Sequence, residues 1–346
     1  MGNTPSGPED RALKGNITAD STFRYFDENG DGRMVEEEFR NLMEDLFRDA
    51  SGKPHTIDPG NRREMYFIFE NRDLAGLTRK DFQHTWDCWI KTILRPVSAI
   101  IVIDVQNDFI DGSLAIKEYD AKQDGADVVP VVNNILDTVP FDNIFYSQDW
   151  HPKNHISFFE SLNQPDRELA DDSPIKKKSE AKLFSKVVFK GPPKINQTLW
   201  PRHCEQGSEG ARFHKDLKIH PLSVNIQKGT DPKIDSESAF WDNGKLAQTQ
   251  LDKKLKERGV TDLYTCGIAT DVCVKATSKD AQDLGYRTIL IQDASGGIFN
   301  DGILKTKEEV RARKGVVVNS ADVKDLVQGR NRPAELGYFK ALRCKK

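Results

Sequence analysis

After Pro96 the chain alternates short β-branched runs with amphipathic helical stretches, and no other feature of the sequence constrains the fold as strongly. Strands are expected near residues 98–103, 143–147, 186–189, 224–227, 262–266 and 288–291. Strands that take turns with helices argue for an α/β domain in three layers, a parallel sheet covered on both faces. Helices predicted over 244–258 and 271–284 are followed by Gly259 and Gly285, the residue type that ends a helix in left-handed backbone. A hydrophilic stretch near 160–180, with Asp171, Asp172 and three lysines from Lys176, reads as an exposed insertion whose charges are solvated.

Before Pro96 the pattern differs. From residue 19 to 93, Phe, Met and Trp recur at helical spacing and predict a small all-α domain behind a polar, mobile lead over 1–18. For 346 residues, two domains over 19–93 and 97–346 agree with ordinary domain sizes. Within the first, residues 27–38 fill the template D-x-[DN]-x-[DN]-G-x5-E without a gap. A hard cation such as calcium takes six to eight oxygens, so Asp27, Asn29 and Asp31 would supply side chains, Arg33 a backbone carbonyl and Glu38 two oxygens. The loop resembles an EF-hand, a motif that usually comes in pairs. Aligning Leu77 with Met34 and Phe82 with Phe39 reveals a second copy whose ligand positions fall on Glu70, Arg72 and Leu74 and whose glycine position falls on Ala75. That second loop is expected to hold no calcium. For the first loop the plainer alternative is an acidic turn ahead of a charged helix.

Composition narrows the setting. Lys and Arg total 51 against 54 Asp and Glu, so no basic surplus points to nucleic acid. No apolar run is long enough for a bilayer, and the polar start lacks a secretory core. Five cysteines without repeating spacing read as reduced thiols rather than a disulfide framework. A cytoplasmic protein is expected, with the nucleus also open. Gly2, with Ser6 four residues on, fits the loose myristoylation pattern, although a disordered polar start is the simpler reading.

In a parallel sheet, ligands bind outside the carboxyl ends of the strands. Asp104, the pair Asp149 and His151, Lys228, and Cys273 each follow a different predicted strand and so reach one rim. Cys273 opens a predicted helix, where free N–H groups and the helix dipole favour a thiolate. Lys228 would add positive charge, and Asp104 would accept the thiol proton and return it to a leaving amine. The rival reading of Cys273 is a buried helix cysteine.

The blocks beginning at Asp104 (DVQNDF), Gln148 (QDWHP), Trp200 (WPRHC), Lys228 (KG) and Gly267 (GIATDVC) resemble, in this order, the nicotinamidases among the isochorismatase-like cysteine hydrolases. The likeness covers roughly residues 97–320. It implies hydrolysis of nicotinamide to nicotinic acid and ammonia through a cysteine thioester, in NAD salvage, with Asp104, Lys228 and Cys273 as catalytic triad. It also implies an oxyanion hole from the N–H groups of Ala269 and Cys273, with a cis peptide between Ile268 and Ala269. Phe109 and Trp200 would flank the substrate ring. Asp149, His151 and His203 would hold a divalent metal, with zinc, iron and manganese all suited to such mixed ligands and zinc the first choice. His155 is open between a fourth ligand and a hydrogen-bonding role. Two alternatives stand beside this reading: another amidase of the same cysteine family, or a calcium-binding scaffold with an inactive hydrolase domain. The sequence leaves open whether the chain forms a homo-oligomer.

Overall fold

The computed structural model describes residues 17–70 and 76–344, which divide into two compact units. The first comprises residues up to Val97 together with Arg313–Val316 and the chain from Lys324 onwards. Helix α1 (Ala19–Phe26) starts at Thr18, whose hydroxyl accepts the Ser21 N–H while the Ser21 side chain accepts the Thr18 N–H. Strand β1 (Arg33–Met34) follows, then α2 (Glu36–Leu46). Helix α3 (Pro59–Phe69) is capped by Asp58 and has proline at its start, where a missing N–H costs nothing. Strand β2 (Leu77–Thr78) leads into α4 (Arg79–Thr85). Strands β1 and β2 are antiparallel, and Met34 stands directly across from Leu77, the two positions that the sequence alignment of the two copies had equated. Arg72, Leu74 and Ala75 of the second copy lie outside the described residues, as does Gly2.

Aromatic packing holds this unit together. The indole of Trp89 stacks on Phe39 with centroids 5.8 Å apart and also meets Phe47 and Phe69. Its N–H donates to the Gly337 carbonyl at 2.8 Å. Gly337 belongs to the C-terminal helix Ala334–Ala341, and any β-carbon there would lie 2.1 Å from the Phe47 ring. Tyr338, Ala341 and Cys344 complete the same core. The sequence reading had carried the hydrolase domain to residue 346; instead the last segment belongs to the helical unit, because its apolar face fills that unit's aromatic core.

The second unit holds a six-stranded sheet in the order β10-β9-β8-β3-β4-β7. Its strands are β3 (Ser98–Ile103), β4 (Asn143–Asp149), β7 (Val224–Lys228), β8 (Asp262–Ile268), β9 (Arg287–Gly296) and the short β10 (Val316–Val318). The pairings of β3 with β4 and β8, of β4 with β7, and of β8 with β9 are all parallel. Successive strand residues face opposite sides, and Ala99 through Ile103 are all fully buried, so both faces of β3 are covered. Helices α5 (Val128–Thr138), α7 (Lys275–Asp283) and α8 (Asn300–Ala312) pack on β9, and α6 (Leu251–Glu257) precedes β8. The strand order runs outward from β3 in both directions, which opens a crevice at its carboxyl end.

Three sequence expectations need correction. Residues 186–189 do form a strand, β5 (Lys186–Phe189), but it pairs antiparallel with β6 (Ile195–Thr198) in a separate hairpin. The helix expected from 244 starts only at Leu251, because both carboxylate oxygens of Asp242 accept N–H groups, from Leu246 and Ala247, and fold that stretch into a turn. The insertion near 160–180 is only partly solvated: Arg167 is 2% exposed and donates to the carbonyls of Asn154 and Pro232, while Leu162, Leu169 and Ile175 pack in one cluster with the hairpin. Among the described residues, no helix is long and apolar enough to cross a membrane.

Candidate active site

Strand ends deliver the site. Asp104 directly follows β3 with φ at 49°, in the left-handed region that side chains other than glycine seldom adopt. Its Oδ1 accepts the Ser147 hydroxyl at 2.7 Å. The ammonium of Lys228, at the end of β7, is wholly buried and lies 2.9 Å from Asp104 Oδ2, 2.5 Å from Asp149 Oδ1, 3.0 Å from the Ser236 carbonyl and 3.4 Å from Cys273 Sγ. Oxygens of Asp104 and Asp149 and the sulfur of Cys273 all lie within 4.8 Å of one another. One cation thus touches every member of the cluster.

The charges shape one another. Burial pushes the Asp104 carboxyl up to about 6, with Lys228 opposing and Asp149 adding to the rise. Burial acts on Asp149 in the same direction, but Lys228 and then His151 outweigh it and hold that carboxyl well below the usual range. Burial alone would lower Lys228, yet Asp104 and Asp149 raise it far above an ordinary lysine, so it stays charged. Cys273 departs from expectation. Burial drives its thiol well above 9, and Lys228 only partly offsets the rise. It sits in a π-helical turn, Thr270–Val274, in which the Val272 and Val274 N–H groups both donate to the Ala269 carbonyl. The rise runs against the thiolate that a helix start suggested, so a nucleophilic Cys273 calls for a base beside it. The Ile268–Ala269 peptide is cis.

Asp149, His151 and His203 place one ligand atom each within 4.8 Å of the others, and all three are buried. His151 Nδ1 lies 2.9 Å from the Gly229 carbonyl and His203 Nδ1 2.7 Å from that of Pro201. Such carbonyls fix the tautomer with the proton on Nδ1 and leave the Nε2 lone pair for a metal. Both Nε2 atoms face Asp149 Oδ2, at 3.6 and 3.9 Å. At Gly229 (φ 64°) a β-carbon would lie 2.3 Å from the His151 ring, so only glycine permits this approach. The set fits a divalent metal. His155 stands apart from it: its ring stacks on His151 at 4.0 Å, its Nδ1 meets the Ser157 hydroxyl at 2.7 Å, and its Nε2 lies 3.9 Å from Asp235.

A single cavity is lined by Cys273, Lys228, Asp149, His151, His203 and Ala269, with Phe109 and Trp200 also in its walls. Every expected site residue of this unit except Asp104 and His155 reaches it, and Asp104 lies behind Lys228. Sequence reasoning missed Ser147, the Ser236 carbonyl, and Gln106, which accepts the Asp149 N–H and donates to the Asp149 carbonyl. It also missed Asp235 and Glu237 in the cavity wall. The one available signal was their place in the polar run that follows Lys228 by a few residues.

A parallel sheet with a buried cysteine, lysine and aspartate at its carboxyl rim defines an α/β hydrolase of the amidase type. The sequence pattern of the isochorismatase domain matches residues 98–322, and the chain belongs to that family. The nicotinamidase of Escherichia coli is 36% identical over 206 residues, covering 59% of this chain and 84% of the relative. Among solved structures, a nicotinamidase/pyrazinamidase of Acinetobacter baumanii is 35% identical and superposes with a TM-score of 0.55 over 66% of this chain and 98% of its own. A protein of L. infantum, solved in complex with nicotinate, is 26% identical with a TM-score of 0.51 over 65% and 94% of the two chains.

Replacing Lys228 by Met should leave Asp104 and Asp149 buried without a counter-charge, at a cost of ~3–5 kcal/mol in urea unfolding at pH 7. Unchanged stability would mean that the ammonium does not hold the cluster together.

Proposed function

We propose that this chain hydrolyses nicotinamide to nicotinate and ammonia, a step of NAD salvage, with Cys273 as nucleophile. The observation that carries the reading is the contact of Lys228 with Asp104, Asp149 and Cys273 beside a metal-ready Asp-His-His set in one cavity. Similarity to nicotinamidases over nearly their whole length supports the choice of substrate. Asp149, His151 and His203 would hold a divalent metal, zinc in our reading, which would supply a Lewis acid beside the substrate ring. Phe109 and Trp200 flank that ring and exclude water. Asp104, being ionised at neutral pH, takes the thiol proton, and Lys228 stabilises the resulting negative charge in turn on sulfur and carboxylate. The Sγ–C bond forms at the carboxamide carbon, and the N–H groups of Ala269 and Cys273 hold the oxyanion. The C–N bond then breaks as Asp104 returns its proton to the departing ammonia, and water hydrolyses the nicotinoyl thioester to nicotinate and free thiol. Complete triad and metal sets argue against an inactive scaffold.

For the helical unit we read residues 27–38 as a calcium site. Gly30 and Gly32 turn the loop with positive φ, Asn29 and Asp31 accept N–H groups within it, and Glu38 accepts from Glu28 and Val35 at 2.9 Å each. Asp27 Oδ1 is buried and has no hydrogen-bond partner, which is the observation that asks for a cation.

Three outcomes test these readings. Cys273→Ala should release no ammonia from nicotinamide while keeping its circular dichroism spectrum, and wild type quenched during turnover should show a nicotinoyl adduct by mass spectrometry; residual activity in the variant refutes the nucleophile. Since Asp104 must be ionised to accept the thiol proton, kcat/KM should fall as pH drops through about 6, by about tenfold per pH unit well below it. A profile flat down to pH 5 would exclude Asp104 as the base. Calorimetric titration of the full chain with calcium should show one site, weakened at least tenfold by Glu38→Gln, which removes the bidentate charge; equal heats in both proteins would dismiss the calcium reading.

A further inference from the structure

The cavity that holds Cys273, Phe109 and Trp200 has a further acidic side chain in its wall, Glu237, which the mechanism above does not use. Its backbone is fixed, the N–H donating to Asn243 Oδ1 at 2.9 Å, and its neighbours Asp235 and Ser236 line the same cavity. Among the described residues the Glu237 carboxylate enters no hydrogen bond or ion pair. The nearby cations are taken: Lys228 is held by Asp104 and Asp149, and Lys275 lies 3.5 Å from Glu309. A half-buried, unpaired carboxylate adds nothing to the stability of the empty site, so its effect lies in what enters the cavity. Burial and then Asp235 push its carboxyl up to about 7, so it is mostly ionised at pH 8. Its charge also acts at the reacting sulfur, where it helps to raise the Cys273 thiol.

Building on the nicotinamidase reading, we propose that Glu237 is a specificity-determining residue that disfavours an anionic pyridine carboxylate at Cys273 relative to the neutral carboxamide, and so hastens product release. Substrate and product differ by NH2 against O−, groups of nearly the same size on the same ring. Shape cannot separate them, and neither can contacts to the pyridine ring, which both molecules share. What separates them is charge. Hydrolysis creates the carboxylate at the sulfur, within the field of Glu237, and repulsion there acts on the product alone.

The test compares inhibition of nicotinamide turnover by nicotinate and by neutral 3-hydroxymethylpyridine, at pH 8 on the full chain. Glu237→Gln keeps the size and removes the charge. Nicotinate should then inhibit about tenfold more tightly, the scale of one partly screened charge lining the same cavity, while the neutral alcohol moves by less than about twofold. Glu237→Asp, which keeps the charge, should leave nicotinate weak. Equal shifts for both inhibitors, an unmoved nicotinate constant, or an Asp variant that behaves like Gln would each overturn the proposal. Failure of the wild type to release ammonia would sink the assigned reaction and not the role of Glu237; calorimetric binding of nicotinate and the alcohol to wild type and Glu237→Gln would still read the charge effect.

Discussion

One buried ammonium organises this active site. Lys228 lies within 3.5 Å of two carboxylates, a carbonyl and the sulfur, with no exposure to water. Two carboxylates this close and this deeply buried repel each other, and without a cation at least one would be protonated. With it, Asp149 stays ionised for metal binding while Asp104 sits near the edge of ionisation, at about 6. The same amine therefore sets up two different carboxylates, one held as an anion and the other near its point of ionisation. The same burial raises the Cys273 thiol, and Lys228 only partly offsets it.

The metal-facing side is fixed by backbone. Carbonyls of Gly229 and Pro201 hold the Nδ1 atoms of His151 and His203, so both rings turn their other nitrogen toward Asp149. Gly229 directly follows Lys228, and so one short segment at the end of β7 carries the cation and orients a metal ligand. That coupling gives the Lys-Gly pair a physical reason beyond sequence likeness. A few residues later the same loop brings Ser236 to the ammonium and Glu237 to the cavity wall. Electrostatic control of the site is thus concentrated in one crossover.

The helical unit is built on another principle. Trp89 gathers Phe39, Phe47 and Phe69 around it, and its one polar atom is satisfied by the Gly337 carbonyl. A large aromatic surface with its hydrogen bond met supports a small domain whose helices are short. Removing the C-terminal helix would therefore open this core.

Much of this was legible from the sequence because it is local. Short β-branched runs marked the central strands, their polar ends marked the rim, and the loop template over 27–38 marked one turn. An alignment from sequence equated Met34 with Leu77, and the fold sets these two residues across from each other. Tertiary structure decided everything that depends on distance through space. Strand β5 carries a strand-like sequence, yet its partner was set by packing with Ile195 and Leu199 rather than by pattern. Arg167 looked like a solvated charge until two carbonyls from distant segments enclosed it. The C-terminal helix joined the first unit because its small and aromatic residues fit around Phe47 and Trp89, a fit that no periodicity encodes. Ser147 and Glu237 acquired their places only when β4 and the loop after β7 closed on Cys273. Sequence names the groups near each strand end; only the folded chain sets the few ångströms and the loss of water that fix their charge.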